Sequence, residues 1–298
     1  LTDAQKALLK QWVAEGAVYE PHWAYTALVK PAVPVVSASA GQSDGGSVVS
    51  PTHRPAGPPS YSPIDAFIRA ELTEKKLTPS SEADARTLIR RVSLDLTGLP
   101  PSPELLQRYL DPANPSHLSP QSYKALVDDL LRSPHFGERW AVWWLDAVRF
   151  ADTVGFHGDQ NQRIFPYRDY VINAFNSNKR FDQFTLEQVA GDLLPNPTQE
   201  QLIATGFNRL NMMTREGGAQ AKEYLAKYQA DRVRTIGSAW LGSGMTCCEC
   251  HDHKYDPLTQ RDFYSLSAFF ADVKQFGVYA DYGYTPNPEL KGWSNDHP

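Results

Sequence analysis

Three serine–proline pairs, Ser102-Pro103, Ser119-Pro120 and Ser133-Pro134, fix the character of this chain. A serine hydroxyl at an N-cap accepts a helix N–H that would otherwise be unpaired, and proline at the first helical position loses nothing, since its missing N–H is one of those orphans. Each pair therefore starts a helix. Leu88, Ile89, Val92 and Leu96 make an apolar stripe at helical spacing, with Gly98 placed for a left-handed cap and Pro100 and Pro101 barring continuation. Thr185 with Gln188 and Thr198 with Gln201 fit the capping box, and Thr259 with Asp262 is a weaker version of it. Alternating runs rich in Val, Ile and Thr are nearly absent after Pro63. The expected fold class is mostly α, a multi-helix globular domain preceded by a long irregular N-terminal strap.

The boundaries follow from composition. Residues 1–29 hold a first amphipathic helix with Ala7, Leu8, Trp12 and Val13 on one stripe and Gly16 to end it. Residues 30–62 are rich in Pro, Ser and Gly with almost no periodicity, which reads as a linker or strap. Residues 63–298 are the α-helical domain, and seven Trp, fourteen Tyr and thirteen Phe in 298 residues are enough to build its core. A net charge of -5 gives no attraction to a polyanion, so nucleic acid is not an expected partner. No apolar run approaches the roughly 18 residues of a membrane span. The chain starts at Leu1, as a processed product or a piece of something longer would. The stretch HFGERWAVWWLDAVRF, with Phe136, Trp140, Trp143, Trp144 and Phe150, is the densest aromatic segment. It reads as a core helix, with the wall of a cofactor site as the alternative.

Cysteine usage points to chemistry. The only three, Cys247, Cys248 and Cys250, lie within four consecutive positions, so no disulfide staples distant parts of the chain. With His251 they contain C-x-x-C-H, the attachment signature of c-type haem. On a helical turn, positions i and i+3 share a side, so the thiols of Cys247 and Cys250 can each add to one vinyl group of a single porphyrin. His251 then presents an imidazole nitrogen to the iron as proximal ligand, while Cys248 points elsewhere as a small buried residue. Two other chemistries use the same groups. A C-x-x-C redox pair is one, although such pairs expect a preceding strand and this segment follows a helix ending near Trp240. Zinc held by Cys247, Cys250, His251 or His253 is the other, although a structural zinc wants four ligands and no second cysteine pair exists.

From about His22 onward the chain resembles the planctomycete cytochrome-associated domain of type 2, a family of unassigned function. The resemblance rests on PHWAY at 21–25, SPIDAFI at 62–68, LIRRVSLDLTGLPPSPE at 88–104, SPHFGERWAVWWLDAVRFADT, IATGFNR, REGGAQAKEY, DRVRTIGSAWLG and CCECHDHKYDPLTQRDFYSLSAFF. It implies a neighbouring cytochrome c domain, of which the opening LTDAQKALLKQWVAEGA resembles the last helix while that domain's haem motif is missing. Where the family often has His-Trp-Leu-Asp, this chain has Trp143-Trp144-Leu145-Asp146. The family's frequent company of sulfatase-like and polysaccharide-related genes implies a carbohydrate substrate as one alternative.

The expected function is that of an extracytoplasmic c-type cytochrome module with one haem c, passing electrons to a redox partner such as a cytochrome c domain. A sixth iron ligand would come from His135 or Met213, with His22, His157 and Met212 behind them. The polar segments around Asp152–Asp169 and Arg215–Glu223 offer an alternative: a haem-dependent oxidoreductase or glycan-acting enzyme. In it Glu216 or Asp159 would act as base, Arg168 as binder and His253 as a further candidate or as a group orienting His251. The plainer reading of those charges is an ion-pair network tying helices together. A third function is a self-assembling homo-oligomeric cytochrome subunit that docks through the strap and the aromatic surface.

Overall fold

The computed structural model describes residues 1–18, 22–35, 62–156, 159, 161–162, 164–214 and 218–273. The chain divides into two compact units, Leu1–Ser80 and Ser81–Pro298. In the first, α1 (Asp3–Ala14) starts on a capping box in which the Thr2 and Gln5 side chains each accept the other residue's backbone N–H. The expected apolar stripe is present, but no residue of α1 is buried. Helix α2 (Pro63–Glu74) starts at Ser62 and buries only Ala66. The expected domain start, residue 63, is the first residue of α2, and compactness groups α2 with the first unit. Most of the expected strap, residues 36–61, lies outside the described residues.

Among the described residues the second unit consists of helices joined by loops, with two isolated bridges, Thr153 with Asn161 and Gly155 with Met213. Helix α3 (Ala85–Thr97) ends at Gly98 in the left-handed conformation, φ 72°. Helices α4 (Pro103–Tyr109), α5 (Pro120–Leu131) and α6 (Pro134–Ala147) all begin with the serine hydroxyl accepting a backbone N–H and proline at the first position. They are followed by α7 (Phe165–Asn176), α8 (Phe181–Ala190), α9 (Gln199–Ala204), α10 (Ala221–Ile236) and α11 (Gln260–Ala268). The boxes at Thr198 and Thr259 are formed. The one expected at Thr185 is not: α8 begins at Phe181, and Thr185 lies inside it. Its hydroxyl accepts the indole N–H of Trp240 at 2.9 Å, while Gln188 accepts from Trp144 at 2.9 Å and from the Tyr167 hydroxyl at 2.6 Å. Both side chains serve long-range partners, which a local sequence window does not contain.

The aromatic helix α6 splits its rings between two faces. Gly137, Ala141, Trp144 and Val148 recur every three or four residues on the core side. There Trp144 meets Trp240 edge-on at 4.9 Å and Phe184 at 5.0 Å. Phe136, Trp140 and Trp143 share the other stripe, and Trp143 stays 59% exposed, so the core-helix expectation holds for only part of the segment. Gly137 is where α6 meets α7. A Cβ added there would lie 2.4 Å from the Ile172 carbonyl oxygen and 2.6 Å from Asn176 Cγ. Asn176 spans the seam, accepting from the Gly137 N–H at 2.7 Å and donating to the Pro134 carbonyl at 3.1 Å.

A buried carboxylate ties α7, α8 and α9. Glu187, 2% exposed, accepts from Lys179 at 2.6 Å, Tyr170 at 2.8 Å, Gln183 at 3.0 Å and Gln201 at 3.4 Å. Burial alone would raise its pKa, but the Lys179, Tyr170 and Gln183 hydrogen bonds outweigh it and hold Glu187 below the usual glutamate range. Burial, reinforced by that anion, pushes the Tyr170 phenol far upward.

Two outcomes follow from these seams. Gly137→Ala forces α6 off α7 and lowers stability by about 2 kcal/mol in urea unfolding, since overpacking against backbone cannot be relieved by a side-chain rotation. Because the folded pKa of Glu187 lies below its unfolded value, its stabilisation is complete above the ordinary glutamate range and drains as the pH falls through the lowered pKa. Glu187→Gln leaves Lys179 buried with less countercharge, costs about 3 kcal/mol at neutral pH and flattens the acid limb of the stability profile, both readable by urea titration across pH.

Candidate functional site

The segment bearing the cysteines is aimed by the way α10 ends. After Ile236 the helix widens into a π turn, Gly237–Leu241, and stops at Gly242 with φ 61°. The chain then folds back so closely that a Cβ on Gly237 would meet the Ser243 carbonyl oxygen at 2.8 Å and Met245 Cγ at 2.9 Å. That return drives Met245 into a core with Ala230, Val233, Cys248 and Phe263, packed between α10 and α11. The next residues, Thr246–Glu249, form a tight 3-10 turn.

The turn gives the three cysteines two different fates. The Cys250 and His251 N–H groups both reach back to the Cys247 carbonyl, at 3.2 and 3.1 Å. The turn thus closes on the Cys247 carbonyl through an i+3 and an i+4 bond, with Cys250 as its last, capping residue. Cys247 and Cys250 are both free and exposed. Cys248 is 0% exposed, with its Sγ 3.5 Å from the Leu258 carbonyl, and burial pushes its thiol pKa up. His251 is exposed, with Nδ1 2.8 Å from the Asp252 carbonyl oxygen. The two exposed thiols and the exposed imidazole thus lie within five consecutive residues at the end of this turn.

Sequence motifs did not reveal what fastens the turn. Glu249 pairs with Arg234 of α10. Its carbonyl accepts from Tyr264 Oη at 2.9 Å and Gln260 Nε2 at 3.3 Å, both on α11, while the Gln260 N–H donates to Asp252 Oδ1 at 2.8 Å. The Thr259 box marks the start of α11 but carries no sign that the helix reaches back to the motif.

The other candidate residues are scattered. His135 stands on the first turn of α6 with Nδ1 2.7 Å from Glu138, and α6 packs on α3 and α7 while the cysteine turn packs on α11. Met213 is buried with Val154 and Tyr228. His253 accepts the Asp256 and Tyr255 N–H groups at Nδ1, at 2.9 and 3.3 Å, so it organises its own turn. Asp159 accepts the Gly155 N–H at 2.8 Å, and the Thr153 hydroxyl followed by that N–H hold its carboxyl below the usual range, the reverse of what a base working near neutrality needs. Arg168 forks onto its neighbour Asp169 at 2.8 and 3.0 Å. The Met213 N–H donates to the Val154 carbonyl at 2.8 Å, joining the two polar loops, but Glu216, His157, Arg163 and Arg215 lie outside the described residues. Among the described residues no three His, Cys, Asp or Glu side chains cluster to hold a metal ion by themselves, so a four-ligand zinc centre has no cage there.

Residues 63–275 match PSCyt2, described as a protein of unknown function (DUF1549). The chain belongs to the PSCyt2 family. No curated protein and no solved structure matches the chain. The PSCyt2 match opens at the first residue of α2 and closes just beyond α11, so it includes the cysteine turn and every element that supports it. Among the described residues no helix is long and apolar enough to cross a membrane.

The contrast between thiols is directly measurable. Maleimide applied to the folded, haem-free protein labels Cys247 and Cys250 within the first minutes, while Cys248 reacts only after denaturant is added, as peptide mass spectrometry would read.

Proposed function

We propose that this PSCyt2 chain carries one haem c on Cys247 and Cys250, with His251 as the proximal iron ligand, and serves extracytoplasmic electron transfer. The observation that carries the reading is the sorting of the thiols: the two at C-x-x-C spacing are exposed on a fastened turn, and the third is sealed in the core. Each thiol would add across one vinyl group, its sulfur taking one carbon and its proton passing to the other. When bound, the haem supplies a one-electron iron couple. The chain's own task is to hold the two sulfurs and the imidazole in register, which the Arg234, Gln260 and Tyr264 contacts to Glu249 serve.

For the sixth position the reading keeps His135, whose Nδ1 is engaged by the Glu138 carboxylate, as first candidate, although it stands on α6 and not on the elements that hold the turn. Met213 would have to leave the core it shares with Val154 and Tyr228. The redox partner fits a cytochrome c domain, whose last helix α1 resembles. Electron transfer is favoured over a glycan-acting or oxidoreductase pocket because the described polar candidates are engaged within their own loops.

The test is production in a secretory host equipped for c-type haem maturation. Haem that survives acid-acetone extraction, with a c-type α band on reduction, is the expected result. Cys247→Ala paired with Cys250→Ala abolishes that retention, and His251→Ala keeps the thioether links but loses the low-spin ferric spectrum. Wild-type protein emerging from such a host without bound haem would overturn the reading.

A further inference from the structure

The two histidines of the motif region stand two residues apart and are hydrogen-bonded in opposite senses. The atom facing His251 Nδ1 is the Asp252 carbonyl oxygen at 2.8 Å. A carbonyl oxygen only accepts, so Nδ1 must carry the proton and Nε2 keeps its lone pair. At His253 the partners of Nδ1 are the backbone N–H groups of Asp256 and Tyr255, at 2.9 and 3.3 Å. An N–H only donates, so the neutral His253 ring has a bare Nδ1 and a proton on Nε2. Of the two rings, only His251 offers an electron pair at the nitrogen farther from the backbone, the one with the longer reach toward a metal.

We propose that Asp252 is the positioning residue that enforces this division, preparing His251 as a ligand before any haem arrives and excluding His253. The assignment of His251 as iron ligand rests on the haem reading above, whereas the tautomers do not. Asp252 acts with both its ends. Its carbonyl takes the His251 proton, while its side-chain Oδ1 takes the N–H of Gln260, the first residue of α11, at 2.8 Å. That N–H is one of the donors a helix start leaves unpaired, so the carboxylate is anchored to the rigid end of a packed helix. The peptide on the other side of His251 is anchored to the same helix, through the Tyr264 and Gln260 side chains on the Glu249 carbonyl. The Glu249–Asp252 segment is thereby pinned to α11 at two points, and the carbonyl of residue 252 is held facing the imidazole. Second partners of this kind commonly fix the tautomer of a ligating histidine. Free imidazole side chains in water favour the proton on Nε2, so the His251 form is one that the fold has to impose.

The experiment is two-bond proton–nitrogen NMR on the haem-free full chain, labelled with nitrogen-15 histidine, at a pH where imidazole is neutral. His251 is expected in the Nδ1–H form and His253 in the Nε2–H form. Asp252→Ala should move His251 to predominantly the Nε2–H form and leave His253 unchanged. Asp252→Asn, which keeps an acceptor for the Gln260 N–H, should restore the wild-type pattern. A wild-type His251 in the Nε2–H form, or one indifferent to Asp252→Ala, would overturn the proposal, and the wild-type spectrum decides the tautomers without any variant. Haem maturation of the same proteins separates the two readings. Expected tautomers in a chain that takes up no haem would uphold the positioning role of Asp252 and defeat the haem assignment.

Discussion

The second unit is organised around a charge that has no business in an apolar core. Glu187 reaches Lys179 in the turn between α7 and α8, Tyr170 on α7 and Gln201 on α9, so three helices share one carboxylate. A buried anion is costly unless every lone pair finds a donor, and here the donors come from elements that apolar packing alone would let slide. Around this hub the aromatic core closes: Phe184, one turn before Glu187, stacks on Tyr170 at 5.8 Å and meets Trp144 edge-on. Trp144 touches Trp240 in the π turn that follows α10, so the packing continues to the point where the chain turns toward the cysteines.

Much of the helical framework was legible because its signals are local. A serine before a proline acts through atoms within one turn, and the pairs at 102, 119 and 133 start helices where they stand. The Thr185–Gln188 pair has the same local form and failed because each side chain had a stronger offer from far along the chain. The pattern of α6 was misleading in a related way. The segment reads as a core helix, but glycine and alanine at 137 and 141 face the core seam with α7, and Trp140 and Trp143 stay exposed. Small residues, not large ones, mark the tightest seam.

At the candidate site the sequence singled out candidate residues and not what holds them. Cys247, Cys250 and His251 stand out by spacing alone. The contacts from Arg234, Gln260 and Tyr264 to Glu249 have no motif, since each joins the turn to a helix residue 11 to 15 positions away and depends on how α10 and α11 face the turn. Candidates chosen for charge in polar loops fared differently. Asp159 and Arg168 are absorbed by Gly155 and Asp169 in their own loops, which is the common fate of surface charge.

The placement of the turn bears on how such a module would work. Cys248 and Met245 anchor it from beneath in a core completed by Ala230, Val233 and Phe263, all supplied by the protein itself. A cofactor attached above that core would sit on a platform that is already folded, so its gain or loss need not unfold the helices. The same arrangement leaves both thiols and His251 at the surface. Exposure of a metal centre stabilises the more highly charged oxidised state and shortens the path to a partner's own cofactor. A fastened but exposed turn is therefore the arrangement that the electron-transfer reading calls for.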